Sequence, residues 1–223
     1  MAHTLAASGV YMGGRRYTDT GDLEPVRTAY EAVREMSTHV RHLGGVDWDF
    51  SEVLAMQPTE KFKRILSEYL GDVLTIDVPH RGWKLPEMIL IYPWLTQMFP
   101  DIHYIYWVRD PRDCVTWFHL SDCLWEYGIP HTPGPDVRFQ RAISWKYQVL
   151  IYKATPKPKN LIEVRFEDFV LDQDRTLDRL SQFLGIKLAK IPVRPDRVGH
   201  WRSDPHRCEF DFFEPELREY GYL

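Results

Sequence analysis

The sequence predicts a three-layer α/β domain in which helices flank a mostly parallel sheet. Three observations predict it. The run Ile102–Val108 holds β-branched, aromatic and other strand-tolerant residues with no Gly or Pro, which reads as a buried strand. Leu161–Phe166 repeats that signature. Helical patterns joined by short loops precede, separate and follow the two runs, an arrangement that sets strands side by side and parallel with helices on both faces.

The elements follow in order. Leu5–Val10 is a short apolar piece ending at Gly9, and Gly13–Asp22 is a polar loop. Pro25 opens a helix reaching Gly44, with apolar positions at Val26, Tyr30, Val33 and Val40. Lys61–Leu70 reads as a helix stopped by Gly71. Val73–Val78 alternates and carries β-branched residues, so it is either a strand or the approach to Trp83–Lys84. Pro86–Met98 suits one buried helix. Pro130–Pro135 is a Pro- and Gly-rich loop that reads as a lid or a substrate-side segment, and Asp136–Ala154 is a helix with Phe139, Ile143, Tyr147 and Leu150 on one face. After the second strand, Leu177, Leu180, Phe183 and Leu184 line a helix that Gly185 ends.

Composition narrows the function classes. In 223 residues, 44% apolar content excludes a mainly disordered chain, and a net charge of −4 leaves no basic footprint for nucleic acid. Cys114, Cys123 and Cys208 are odd in number and contain no Cys-x-x-Cys pair. That argues against a disulfide framework or zinc site and for a reducing compartment, with Cys114 and Cys123 packed in the core. No apolar run approaches the roughly 20 residues that span a bilayer. Met1–Leu5 lacks a signal peptide's basic and apolar regions. The expectation is a soluble cytoplasmic protein without a metal and without a membrane partner.

The first strand leads straight into Arg109–Asp110–Pro111–Arg112–Asp113. Asp110 suits an N-cap, Pro111 the first helical position, and Asp113 can answer the cap from the third. Arg109 thus stands at the carboxyl end of a strand beside a helix start, where open α/β sheets bind ligands and an arginine with bare N–H groups attracts anions. The alternative is an arginine that pairs with Asp110 or Asp113 to tidy a tight turn. The Glu167–Asp168 pair reads as holding the turn after the second strand rather than as acid–base machinery.

Three blocks in order resemble the sulfotransferase superfamily, whose members move a sulfuryl group from 3′-phosphoadenosine 5′-phosphosulfate (PAPS) to a hydroxyl or amine. They are Tyr104–Asp113, then Val164–Phe169 with Phe183–Leu184–Gly185, then Arg197–Arg202; Trp83–Pro86 also looks familial. The resemblance implies a P-loop-like fold, PAPS as donor co-substrate, and a small-molecule or glycan acceptor. It implies that Arg109 contacts the 3′-phosphate, that Arg197, Gly199 and Arg202 complete that site, and that Trp201 covers the adenine. The family's serine eight positions after the arginine is Trp117 here, with Thr116 before it as the possible hydroxyl. Lys84 matches a lysine near the transferred group. The family's catalytic histidine falls near Pro86, leaving His80 and Glu87 as candidate bases.

The superfamily's Ser/Gly/Thr loop for the 5′-phosphosulfate is not found. Gly9–Arg16 mimics Walker glycine spacing, but arginines replace Lys and Ser/Thr. The expectation is therefore a single domain over residues 1–223 that begins one strand and one loop late, or a member without donor activation. Two other readings stay open: a non-catalytic nucleotide-binding or interaction protein on the same fold, and a kinase-type phosphotransferase, against which the missing Walker lysine counts.

Overall fold

A computed structural model describes residues 1–207 and 210–223; Cys208 lies outside them. Helix α1 (Ala2–Ala7) ends before Gly9, whose φ of 86° turns the chain. Helix α2 (Val26–Ser37) buries Tyr30, Val33 and Met36. It stops seven residues short of the expected Gly44, because β1 (Arg41–Gly44) pairs antiparallel with β2 (Asp47–Asp49). Gly44 and Gly45, at φ 108° and 56°, supply the turn that a helix could not contain.

Helix α3 (Ser51–Ala55) precedes α4 (Glu60–Tyr69), which starts where the Thr59 side chain accepts the Phe62 N–H. Phe62, Leu66 and Tyr69 form its buried face. The segment read as a possible strand at Val73–Val78 is helical instead, as α5 (Gly71–Thr75). The Leu74 N–H bonds the Leu70 carbonyl, so the chain leaves α4 straight into another helical turn. The single helix expected over Pro86–Met98 is two elements, a 3₁₀ turn (Pro86–Ile91) and α6 (Tyr92–Met98). Pro93 explains the break, since it has no N–H to continue the ladder and suits a fresh helix start.

Strand β3 (Tyr104–Val108) pairs in parallel with β4 (Leu161–Arg165), in register from Tyr104 opposite Leu161 to Val108 opposite Arg165. Between them come α7 (Pro111–Cys114) and α8 (Val137–Ala154), the latter capped by the Asp136 side chain at the Arg138 and Phe139 N–H groups. Helices α9 (Phe166–Leu171) and α10 (Gln173–Leu184) follow β4, and Gly185 ends α10 at φ 69°. Helix α11 (Glu214–Glu219) comes last.

Side chains of β3 alternate between two helical layers. Tyr106 stacks on Tyr152 of α8 at 3.4 Å, and Trp107 meets Phe169 of α9 at 5.2 Å. The chain is thus a helix-rich α/β protein with a small parallel sheet. Of the mostly parallel sheet expected from the sequence, the described residues form a parallel pair of strands, partly rather than wholly buried, while other apolar runs go into helices. Cys114 packs partly buried against the core between α8 and α11. Among the described residues no helix is long and apolar enough to cross a membrane.

Candidate active site

The carboxyl ends of β3 and β4 gather three distant segments. Asp110 caps α7 by accepting the Arg112 N–H at 2.9 Å, as its position predicts. Asp113 does not answer the cap. Fully buried, its carboxylate instead accepts the N–H groups of Gly199 at 2.8 Å and Trp201 at 2.9 Å, holding a loop 86 and 88 residues away. Those N–H groups would otherwise be orphaned in a turn, and a buried carboxylate is the strongest acceptor to offer them. Gly199 sits at φ 69°, and a Cβ there would come 2.0 Å from Arg202 Nη1, so glycine suits the position twice over.

Arg109 Nη2 donates to the Arg197 carbonyl at 2.6 Å, lies 3.6 Å from Asp113 Oδ2, and rests its guanidinium on the Phe166 ring at 4.5 Å. Its buried Nε has no partner. The Thr116 hydroxyl donates to the Asp113 carbonyl at 2.7 Å, which leaves its lone pairs free. The Arg197 guanidinium covers the exposed ring of Trp117 at 4.6 Å. Trp201 is buried, with the guanidiniums of Arg112 at 4.1 Å and Arg202 at 4.9 Å on its ring. It stands under arginines rather than open to a base, whereas the neighbouring Trp117 faces solvent.

Glu167 ties the two strand ends together. Its Oε1 accepts the Asp110 N–H at 3.0 Å and its Oε2 accepts the Tyr222 hydroxyl at 2.9 Å, a structural role matching the sequence reading. Asp168 is a surface neighbour 3.9 Å from Arg165 Nε.

A second polar group surrounds Lys84. Its Nζ pairs with Asp22 Oδ1 at 2.5 Å, which leaves two of three N–H donors uncommitted among the described residues. Glu87 is buried. Its Oε1 stands 3.5 Å from the hydroxyls of Tyr30 and Tyr127, and its Oε2 has no partner. Burial raises its pKa, and nearby Asp22 adds to the effect. His80 is exposed, and its backbone carbonyl accepts the Tyr11 N–H at 2.9 Å. His119 also feels this group: surrounding protein, then the charge of Lys84, lowers its pKa. Its Nδ1 faces Ser121 Oγ at 2.9 Å, while Asp122, raised to about 6 by burial, accepts the His119 N–H.

Sequence reasoning missed Asp22, Asp113 as loop anchor, His119 and Tyr222. Only Asp113 left a local signal, as an acid four residues after the site arginine. Among the described residues no three of His, Cys, Asp and Glu gather as a metal-binding group. A family model described as "Sulfotransferase family" matches residues 14–190. No curated protein and no solved structure matches the chain.

Proposed function

This chain belongs to the sulfotransferase family, and we propose that it carries a sulfuryl group from PAPS to a hydroxyl or amine of a small-molecule or glycan acceptor. The observation that carries the donor reading is the bond from Arg109 to the Arg197 carbonyl, which joins two segments 88 residues apart beyond the carboxyl end of β3. An arginine fork with an unmet N–H, beside a helix start and a glycine turn, is suited to a terminal phosphate. In this reading Arg109, Thr116, Arg197, Gly199 and Arg202 surround the 3′-phosphate, and Trp201 holds the loop through its backbone.

Transfer forms a bond from the acceptor atom to sulfur, breaks the bond from sulfur to the 5′-phosphate oxygen, and sends the electron pair out with the bisphosphate. Lys84 supplies positive charge to that leaving oxygen through its two uncommitted N–H donors. The acceptor proton needs a base. Glu87 is the better placed of the two candidates, because a carboxyl raised by burial holds a proton closer to neutrality. His80 is tied through its backbone to Tyr11 rather than to Lys84 or Asp22.

Adenosine 3′,5′-bisphosphate tests the reading. At a hundredfold excess over its dissociation constant it should stabilise the protein by roughly 2.7 kcal/mol. Arg109→Ala should abolish the shift in melting temperature with the fold intact by circular dichroism. A shift that survives the substitution removes Arg109 from the site, and no shift in the wild type sinks the donor assignment.

A further inference from the structure

The 3₁₀ turn Leu120–Asp122 packs on α8 and on the turn Pro86–Ile91, which opens just after Lys84. His119 stands at its head. Behind the imidazole, the Ser121 N–H donates to Nδ1 at 3.2 Å and the Ser121 hydroxyl lies 2.9 Å from the same nitrogen.

Hydrogen bonds among buried groups decide which way that hydroxyl points. Gln148 donates amide N–H groups to Ser121 Oγ at 3.3 Å and to Ser144 Oγ at 3.1 Å. The Ser144 hydroxyl passes its own hydrogen to the Ser121 carbonyl at 2.6 Å. Ser121 Oγ thus receives a donor from Gln148 and sends its hydrogen on to Nδ1. Both serines are buried, so water does not compete for these bonds.

With two donors aimed at its lone pair, Nδ1 carries no hydrogen, and the neutral ring holds its hydrogen on Nε2. Surrounding protein and the charge of Lys84 favour that neutral form, against a weaker pull from Asp22. Asp122 is committed elsewhere, accepting the His119 backbone N–H at 2.7 Å and standing 3.7 Å from Arg141 Nε. Among the described residues Nε2 has no partner, and His119 is exposed.

Such a ring cannot take the acceptor's proton at Nε2. It donates there. A donor on the acceptor oxygen would weaken its attack, whereas a donor on an oxygen of the transferred group holds that group in line. We propose, resting on the PAPS reading, that His119 is fixed by Ser121 as a neutral Nε2–H donor to an oxygen of the sulfuryl group, beside Lys84. The hydrogen stays on Nε2 throughout, and the bonds made and broken at sulfur are those given above.

PAPS and adenosine 3′,5′-bisphosphate differ by the sulfuryl group alone, so calorimetric titration with each isolates this contact. In His119→Asn, Oδ1 replaces Nδ1 as acceptor of the Ser121 N–H, but no N–H reaches the place of Nε2. PAPS affinity should fall about tenfold or more, and bisphosphate affinity should be unchanged. His119→Gln, which keeps an N–H at that reach, should retain most of the PAPS affinity. Proton–nitrogen NMR of histidine-labelled protein at neutral pH should show the signals missing from either variant as protonated at Nε2 and bare at Nδ1.

Equal losses for both nucleotides in His119→Asn, or no loss for PAPS, overturn the contact and leave the donor reading standing. If His119→Asn fails to fold, loss of PAPS affinity in a folded His119→Gln overturns it. Protonation at Nδ1 overturns the fixed donor. Failure of both nucleotides to bind the wild type breaks the donor reading, and this contact with it.

Discussion

At the carboxyl end of β3, Asp113 meets two backbone N–H groups and Arg109 a backbone carbonyl, whereas behind Lys84 the Glu87 carboxyl has long contacts, at 3.5 Å, with the hydroxyls of Tyr30 and Tyr127. The arginine region binds side chains to backbone across long stretches of sequence, so its charges are fixed in place and its geometry is set before any ligand arrives. The lysine region leaves a buried carboxyl poorly satisfied, so its proton affinity is open to change. The two regions are therefore built for different work. Fixed donors suit holding an anion, and an under-satisfied acid suits holding or releasing a proton.

The sharpest break in the comparison comes from Lys84→Met. Radiolabelled sulfate transfer should fall on the order of 10²–10³-fold, the loss typical of removing one preorganised donor at a developing charge. Bisphosphate affinity should hold within a few-fold. An equal loss of binding would place Lys84 in the arginine region's role instead.

Asp113→Ala comes next. It orphans the Gly199 and Trp201 N–H groups, and at roughly 1–3 kcal/mol for each buried unmet donor the expected loss is about 3 kcal/mol. For a chain of this size that lowers the melting temperature by roughly 6–12 °C. A thermal scan showing no change would mean the loop is held by other contacts.

The smallest effect is a pH dependence. Burial raises the Glu87 pKa, so the folded state binds that proton more tightly than the unfolded chain does. Stability from this group is therefore fully present below the ordinary carboxylate pKa and declines as pH rises through the raised value. Glu87→Gln removes the decline. Melting temperatures across pH 4 to 8 should show the variant gaining on the wild type toward the alkaline end, and a constant difference would contradict the assignment.

Local signals made part of this molecule legible. The Asp110–Pro111 helix start, the Asp136 cap, the strand pair and the Gly185 stop are each written within a few residues, because caps, periodicity and left-handed turns are local physics. The hairpin at Arg41–Asp49 was hidden because Val40 continued the helical spacing past the true end of α2. The partners of Asp113 and Glu167 could not be read, since nothing in the sequence near an acid says which N–H it will meet 86 or 57 residues away. Pairing of Lys84 with Asp22 is hidden for the same reason.

The tail contacts carry a kinetic consequence. The bond from Arg112 to the Tyr222 carbonyl closes a loop of 110 residues, and the Tyr222 hydroxyl reaches Glu167 across 55. Such closures cost more chain entropy than any helical turn, so they follow the local helices in folding. The tail is held by the buried pair of Lys146 with Glu216, so fluctuations of α11 that leave the rest of the protein folded would unseal the strand ends. The population of sealed molecules is then set by how firmly the C-terminal segment docks on α8, and not by the stability of the sheet that carries the arginines.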